Sequence, residues 1–349
     1  MKSVIRFILT TVCVVALIGN MATAQDLQQQ ISKLGRDAAI GYVSPILSGW
    51  GNDLNSGIYY SADLHDILGF DVGVKVAMSR FQDEDKTYSL ILPASMTVQA
   101  SQLGITAPGD PSLTFYAGTD YEQNITANTA VGPKDNTAIK LKSEKTINVP
   151  GYGDVILPVD QTVAELPGGF DIGKIGVPLI MPQLAVGLPF GLEAMLRYVP
   201  TISAGDAGKF NYMGFGLRYD IDQWLPMFSV DIAVHFMTQK MNFKSSSDAD
   251  IFSANGTAYG VEVSKKLFIL TLYGGFQLES SKLTFADYLY QGNDPLLIGT
   301  KIQGFEVPGS NKSRFTVGAR LLLLIVNVHA EYSIAKNPVI ALGVGISFR

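Results

Sequence analysis

Cysteine is nearly absent: the one residue of this type, Cys13, falls inside an apolar run at the N-terminus. There Lys2 and Arg6 precede an apolar core from Phe7 to about Ile18, and Ala22-Thr23-Ala24 forms a small-residue cleavage site, so residues 1–24 read as an export signal. The remaining chain has no thiol, which excludes disulfides and thiolate metal sites. Charge is also scarce. Charged residues make up 16% of the chain, below the usual quarter, and the net charge of −5 comes with no basic block, which argues against nucleic acid as a partner. The three histidines lack a ligand spacing and no serine sits in a nucleophile motif, so no enzyme activity, metal or cofactor is expected. Past the signal, long apolar runs are missing too: the densest, Leu321 to Val328, is broken at Asn327, and helical membrane spans are not expected.

What is present is glycine, at 35 residues, with 15 tyrosines and 18 phenylalanines, a balance that suits lipid-facing strands with aromatic girdles. The last thirty-five residues show the organising pattern. Phe315, Val317, Ala319, Leu321 and Leu323 alternate with Arg314, Thr316, Gly318 and Arg320. The same alternation sets Val326, Val328, Ala330, Tyr332 and Ile334 against Asn327, His329, Glu331 and Ser333, and then Ile340, Leu342, Val344, Ile346 and Phe348 against small or polar residues. A period of two means strands, and runs of about nine to eleven residues are the length a tilted strand needs to cross a bilayer. The expected fold is therefore all-β: a closed antiparallel transmembrane barrel.

Upstream, Asp26 to about Ile46 is the one helical stretch, capped by Asp26 and stopped by Pro45. Residues 25–48 are expected to form a short N-terminal helix on the periplasmic side or inside the barrel as a plug. Further staves follow at Gly57–His65, Phe70–Met78, Tyr88 to about Val98, Gln183–Leu188, Gly191–Val199, Gly208–Tyr219, Ser229–Met237, Thr257–Ser264 and Phe268–Leu278. Residues 99–181 read as a long extracellular or lumen-folded region with β-like pieces at Leu113–Ala117 and Ala138–Val149. Polar loops are expected at Lys240–Asn255 and Ser280–Lys312. Long connections nearly all land on one side, as in outer-membrane barrels. The count is about 12 staves, or 14 if the long region hides a hairpin.

In this register the charges within clear staves point inward: Asp63, Asp71, Lys75, Glu193, Arg197, Arg218, Asp231, Glu262, Arg320 and Glu331, joined by His65, His235 and His329. The mixture of signs favours a lumen laced by ion pairs over a channel for ions of one sign. Inward Gly73, Gly216, Gly275, Gly318, Gly343 and Gly345 read as room for large neighbours or a plug. Trp224, in the turn Asp220–Pro226, should place an indole at the membrane interface.

Three segments carry a family resemblance. They are Tyr42-Val43-Ser44-Pro45, the run Gly216-Leu217-Arg218-Tyr219-Asp220-Ile221-Asp222-Gln223-Trp224-Leu225-Pro226 leading into Val230-Asp231-Ile232-Ala233, and the ending Gly345-Ile346-Ser347-Phe348-Arg349. The pattern resembles a Bacteroidetes-type outer-membrane β-barrel family of unassigned function and, more distantly, the long-chain fatty-acid outer-membrane transporters. That resemblance implies a location in the cell outer membrane and, from the transporters, fourteen strands with an N-terminal plug and a lateral opening. The leading expectation is passive transport or binding of a small hydrophobic molecule. The alternative is a non-transporting barrel that acts as an anchor or interaction scaffold. Expected partners are outer-membrane lipid, a small hydrophobic ligand and envelope proteins.

Overall fold

Side chains that alternate between apolar and polar along a strand give a sheet two unlike faces, and here that sheet closes on itself. The computed structural model describes residues 34–348 apart from 173–175, 177, 204–207, 225–228 and 292–297. The export signal expected at 1–24, with Cys13, lies outside the described residues.

The wall consists of β1 (Phe70–Ser79), β2 (Leu179–Leu188), β3 (Leu192–Ser203), β4 (Lys209–Asp220), β5 (Asp231–Lys244), β6 (Asp250–Leu267), β7 (Leu270–Phe285), β8 (Ser313–Leu323), β9 (Val326–Ile334) and β10 (Val339–Phe348). Each pairs antiparallel with the next, and β10 returns to β1 with Phe70 opposite Phe348 and Ser79 opposite Val339. The result is a closed barrel of 10 strands, with a further short strand, Phe305–Pro308, bonded to the far part of β7. Closure pairs the backbone of every wall strand on both sides. At one end the connections are short, such as Pro189–Gly191, Phe268-Ile269 and Leu324-Ile325; at the other lie the long ones, including residues 80–178 and 286–312. Val72, Leu217, Val261, Leu272, Val328 and Leu342 stand exposed on the outer face.

The expected 12 to 14 staves are thus corrected to ten, for two physical reasons. Gly57–His65 alternates like a strand but has no ladder partner; it threads the lumen, and Ile58, Tyr60 and Ala62, expected outward, are buried there. Its backbone groups are answered by side chains instead: Gly57 N–H by Glu331, the Ile58 carbonyl by Gln183, Ala62 N–H by Ser264 and His65 N–H by Glu193. Tyr88–Val98 is divided around Pro93, which has no N–H to donate, into Thr87–Ile91 and Ser95–Gln99, and each joins a separate two-stranded sheet outside the wall. The polar loop expected at Lys240–Asn255 is also mostly strand, because β5 and β6 run on together to a turn at residues 245–249.

Within the described residues the helix is α1 (Arg36–Leu54), which is continuous through Pro45 and runs past the expected end near Ile46; the expected cap Asp26 and the rest of residues 26–33 lie outside the described residues. Proline removes one helical hydrogen bond and crowds the carbonyl four residues back, here that of Gly41. What holds the helix beyond it is burial: Ile46, Leu47, Trp50 and Leu54 are enclosed, and Trp50 stacks on Phe252 at 5.1 Å and Phe243 at 5.7 Å at the long-loop mouth. The helix begins at the long-loop end, where Tyr42 donates to the Gly168 carbonyl, and descends. Residues 55–66 then cross the lumen to the short-turn end, where Leu68 N–H meets the Gly187 carbonyl and β1 starts. The segment is a plug, entered from the long-loop end and not from the short-turn side.

Residues 87–166 form a cap of two-stranded antiparallel sheets at the long-loop end: Thr87–Ile91 with Asn124–Asn128 encloses the hairpin Ser95–Gln99 with Ser112–Tyr116, and Thr137–Lys140 with Thr162–Leu166 encloses the hairpin Lys145–Val149 with Gly153–Leu157. Its core, with Phe115, Ile139, Leu141 and Val163, is continuous with the buried face of α1.

Candidate functional site in the barrel lumen

The inward faces of the strands meet residues 52–66 in a filled interior. Arg197, fully buried on β3, is the central member. Its Nε donates to Gln183 Oε1 at 2.9 Å, Nη1 to the Leu54 carbonyl at 2.9 Å and Gln239 Oε1 at 3.0 Å, and Nη2 to the Ser56 and Gly57 carbonyls at 2.8 and 2.9 Å. Leu54 is the last residue of α1, so the guanidinium caps the helix where its carbonyls lack partners and its dipole is negative.

A second group runs as a chain across the lumen. Ser347 Oγ lies 3.1 Å from His65 Nε2, and His65 Nδ1 lies 2.7 Å from Glu193. Glu193 accepts from Arg218 Nη1 at 2.7 Å, Arg218 Nε reaches Glu262 at 2.7 Å, and Glu262 is 3.0 Å from His235 Nδ1. Beyond His235, Gln277 and Glu279 lead to Arg314, which holds the Asn52 carbonyl at 2.8 Å. Arg218 also donates to the Ser61 carbonyl of the threaded segment. Acid and base alternate, so the buried charges are paired.

A third group surrounds Tyr60. Lys75 Nζ lies 5.1 Å and the Arg320 guanidinium 4.5 Å from its ring centroid, and the His329 ring is 4.9 Å away. Lys75 donates to the Gly57 carbonyl at 2.5 Å, and Asn327 joins Asp71 at 2.5 Å to His329 Nδ1 at 3.2 Å. Glu331 accepts from Gly57 N–H at 2.9 Å.

The expected inward residues therefore share one interior, and all are buried except Asp63 and Asp231, which are half-buried. Asp231 accepts from Ser264 Oγ at 2.9 Å; Asp63 lies on the threaded segment and not on a strand. His65 and His235 belong to one chain while His329 stands apart on Tyr60, and among the described residues no group of three His, Cys, Asp or Glu could hold a metal ion. Trp224 is exposed at the short-turn end, its Nε1 donating to Tyr219 OH at 2.8 Å. Four of the six inward glycines give room to large side chains, with Gly275 under Tyr59 of the plug, Gly343 under His329, Gly318 under Tyr273 and Gly216 under Met195 and Met237, while Gly73 and Gly345 instead face each other's strand backbone. Gln183, Gln239 and Glu279 are additions to the expected set, while Gln277 and Arg314 lie on the polar parity that the alternation gives them. The amides carry no charge to draw notice, yet they share the inward parity of charged neighbours, and Glu279 lies one residue past the expected end of its stave.

A second feature belongs to the cap. A cleft of about 910 Å³ opens between α1 and the hairpins, with Leu90, Met96, Ile139 and Val163 beside Gln102 and Glu165.

The model of one family matches residues 1–348. The chain belongs to that family of unknown function (DUF6588). No curated protein matches the chain. Solved structures that resemble it include OmpT, an outer membrane protein of Vibrio cholerae, at 8% identity over 82% of this chain and 99% of that one, with a TM-score of 0.25. The outer membrane protease OmpT from Escherichia coli is 10% identical over 84% of this chain and 100% of that one, with a TM-score of 0.28. The CymD monoaromatic hydrocarbon channel is 8% identical over 82% and 90%, with a TM-score of 0.25. At these values the neighbours carry no argument about activity, and the architecture is read from the strand pairing itself.

Proposed function

We propose that this protein is a plugged, non-catalytic barrel of the outer membrane that anchors the cap at the cell surface, an interaction scaffold and not an aqueous channel. The outer face favours lipid because exposed valine, leucine and phenylalanine ring the wall while the ionised groups of the lumen are enclosed. Short turns at one end and long connections at the other favour a periplasmic short-turn end and a cap that faces outward. The observation that carries the scaffold reading is the filled lumen: Arg197, Arg218 and Arg314 each bind backbone carbonyls of residues 52–61, so opening a path would strand several buried charges at once. Refolded full-length protein in planar bilayers is expected to show no stepwise conductance; regular single-channel steps would sink the scaffold reading.

The expected small hydrophobic ligand retains a place in a second reading, supported by the cap cleft, whose volume of about 910 Å³ is in the range of small-molecule sites. An apolar dye such as anilinonaphthalene sulfonate should bind the native protein and lose its signal when Ile139→Trp fills the cleft. Equal dye binding by both forms would remove this reading.

A further inference from the structure

Among the described residues, eight other than glycine hold a left-handed backbone, and they divide by position. In the cap and at the long-loop end they are Asp110 (φ 41°), Asp160 (φ 64°), Asp171 (φ 51°) and Asp248 (φ 66°), all exposed. At the short-turn end they are Leu68 (φ 67°), Phe190 (φ 68°), Phe268 (φ 59°) and Leu324 (φ 58°), exposed by 77, 84, 90 and 96%. Aspartate is an ordinary occupant of this conformation, since its short polar side chain bonds locally and tolerates it; for a bulky apolar residue it is strained. Two-residue hairpin turns call for Gly, Asn or Asp at such positions, yet Phe268-Ile269 and Leu324-Ile325 fill theirs with large apolar side chains. The same backbone problem is solved with a polar residue at one end and with a greasy one at the other. Water accounts for the first choice and cannot account for the second.

The height of the wall points the same way. On β8 the outward apolar run from Phe315 to Leu323 spans eight residue steps, and exposed Lys312 and Ser313 lie beyond it at the long-loop end. At about 3.3 Å per residue and a tilt of about 40°, such a run rises roughly 20 Å, short of the apolar band of about 25 Å that a barrel of this kind presents. The runs Val326–Ile334 and Ile340–Phe348 have the same length. The missing height is supplied at the turns: Leu323, Leu324, Ile325 and Val326 form one unbroken exposed apolar surface with the wall. Two exposed lysines, Lys265 and Lys266, stand beside this end on β6, and Lys265 turns its ammonium onto the Ser229 carbonyl.

Resting on the membrane reading above, we propose that the short-turn end is a lipid-inserted crown, in which Leu68, Phe190, Phe268 and Leu324 lie in the acyl region of the near leaflet instead of in water. The wall and the crown then form one continuous lipid interface, and the barrel sits deep toward its short-turn side.

The test is quenching of tryptophan by phosphatidylcholine brominated on its acyl chains. The unaltered protein carries its own reporter, since Trp224 is at the short-turn end while Trp50 is enclosed beside Phe243 and Phe252. In a Trp224→Phe background, Phe268→Trp and Leu324→Trp place reporters on two tips, and Val261→Trp marks the wall. The expected result is that both tip reporters lose at least about two-fold in intensity, as the wall reporter does. Quenching of Val261→Trp with bright tips would overturn the crown and leave a water-exposed apolar face for a periplasmic protein. Failure to quench Val261→Trp would overturn the membrane reading and the crown with it. A second measurement does not require added tryptophan. Phe268→Asn and Leu324→Asn relieve the backbone, so tips in water would refold as well as the parent or better; tips in lipid would insert into vesicles several-fold less efficiently. Unchanged or improved insertion would sink the crown.

Discussion

The barrel and the cap are made of the same element, the antiparallel hairpin, and they turn it opposite ways. In the cap, Phe115, Ile139 and Val163 are inside while Lys140, Glu144 and Asp154 face out. In the barrel, Arg197, Glu193 and Glu262 are inside while Val261, Leu272 and Val328 face out. Alternation cannot tell these cases apart, because it fixes only that the two faces differ. Strand length can. Wall strands run from 9 to 18 residues, cap strands such as Thr137–Lys140 and Ser112–Tyr116 from 4 to 5. A strand that must cross a bilayer cannot be short, whereas a hairpin over an apolar core can.

The comparison breaks most readily at the interior of each region. Arg197→Met keeps much of the volume but leaves the Ser56 carbonyl without its buried donor and takes one of two donors from the Leu54 and Gly57 carbonyls, and is expected to cost about 3 to 5 kcal/mol in urea unfolding from detergent micelles. A loss under about 1 kcal/mol would mean that the plug is not held by this guanidinium. Phe115→Ala should cost about as much, roughly 3 to 5 kcal/mol, but locally: the cap becomes open to protease while the barrel resists. Joint unfolding of both would show that they are one cooperative unit.

The outer surfaces give a smaller and sharper contrast. Val261→Arg on the wall should destabilise the barrel in vesicles by about 2 to 4 kcal/mol, because the guanidinium enters lipid. Ile156→Arg on the exposed face of a cap strand should change stability by no more than about 0.5 kcal/mol. Equal costs at the two positions would remove the distinction between a lipid-facing and a water-facing strand.

How much of this was legible in the sequence follows from the same contrast. The ten wall strands were readable because each has one exposed apolar and one enclosed face, and the inward parity of Glu193, Arg197, Arg218, His235, Glu262 and Glu331 came with them. Residues 57–65 misled because a chain surrounded by a polar lumen can alternate without pairing; Tyr59 and Tyr60 are both buried, which no two-faced strand allows. The cap strands were too short for their period to stand out. Arg197 was legible as an inward cation and not as the cap of a helix more than 140 residues earlier, since that contact depends on how deep α1 descends. Nor did spacing reveal that Glu193, Arg218 and Glu262 join two of the histidines, because neighbours around a barrel are set by register.

The place where barrel, plug and cap meet carries a contact that depends on pH. Asp53, on the last turn of α1 and fully buried, has its Oδ1 2.7 Å from Ser79 Oγ, which also lies 3.0 Å from the Gly49 carbonyl. Ser79 has one hydroxyl proton for two acceptors. Both contacts are satisfied when Asp53 is neutral and donates to Ser79, which then donates to Gly49. Burial pushes the Asp53 carboxyl up to about 7, against the pull of the Ser79 hydrogen bond and of Arg314. Because the unfolded chain ionises near the ordinary value of 3.8 and the folded one near 7, the proton stabilises the fold below about pH 4. That contribution declines by about 1.4 kcal/mol for each pH unit between the two values and is absent above the upper one. Asp53→Asn supplies a donor at every pH, so its stability relative to the parent should rise between about pH 5 and pH 7 and then level off. Urea midpoints of both proteins across that interval measure the difference; a constant gap would mean that Asp53 is ionised throughout and that the plug helix ends on a buried charge.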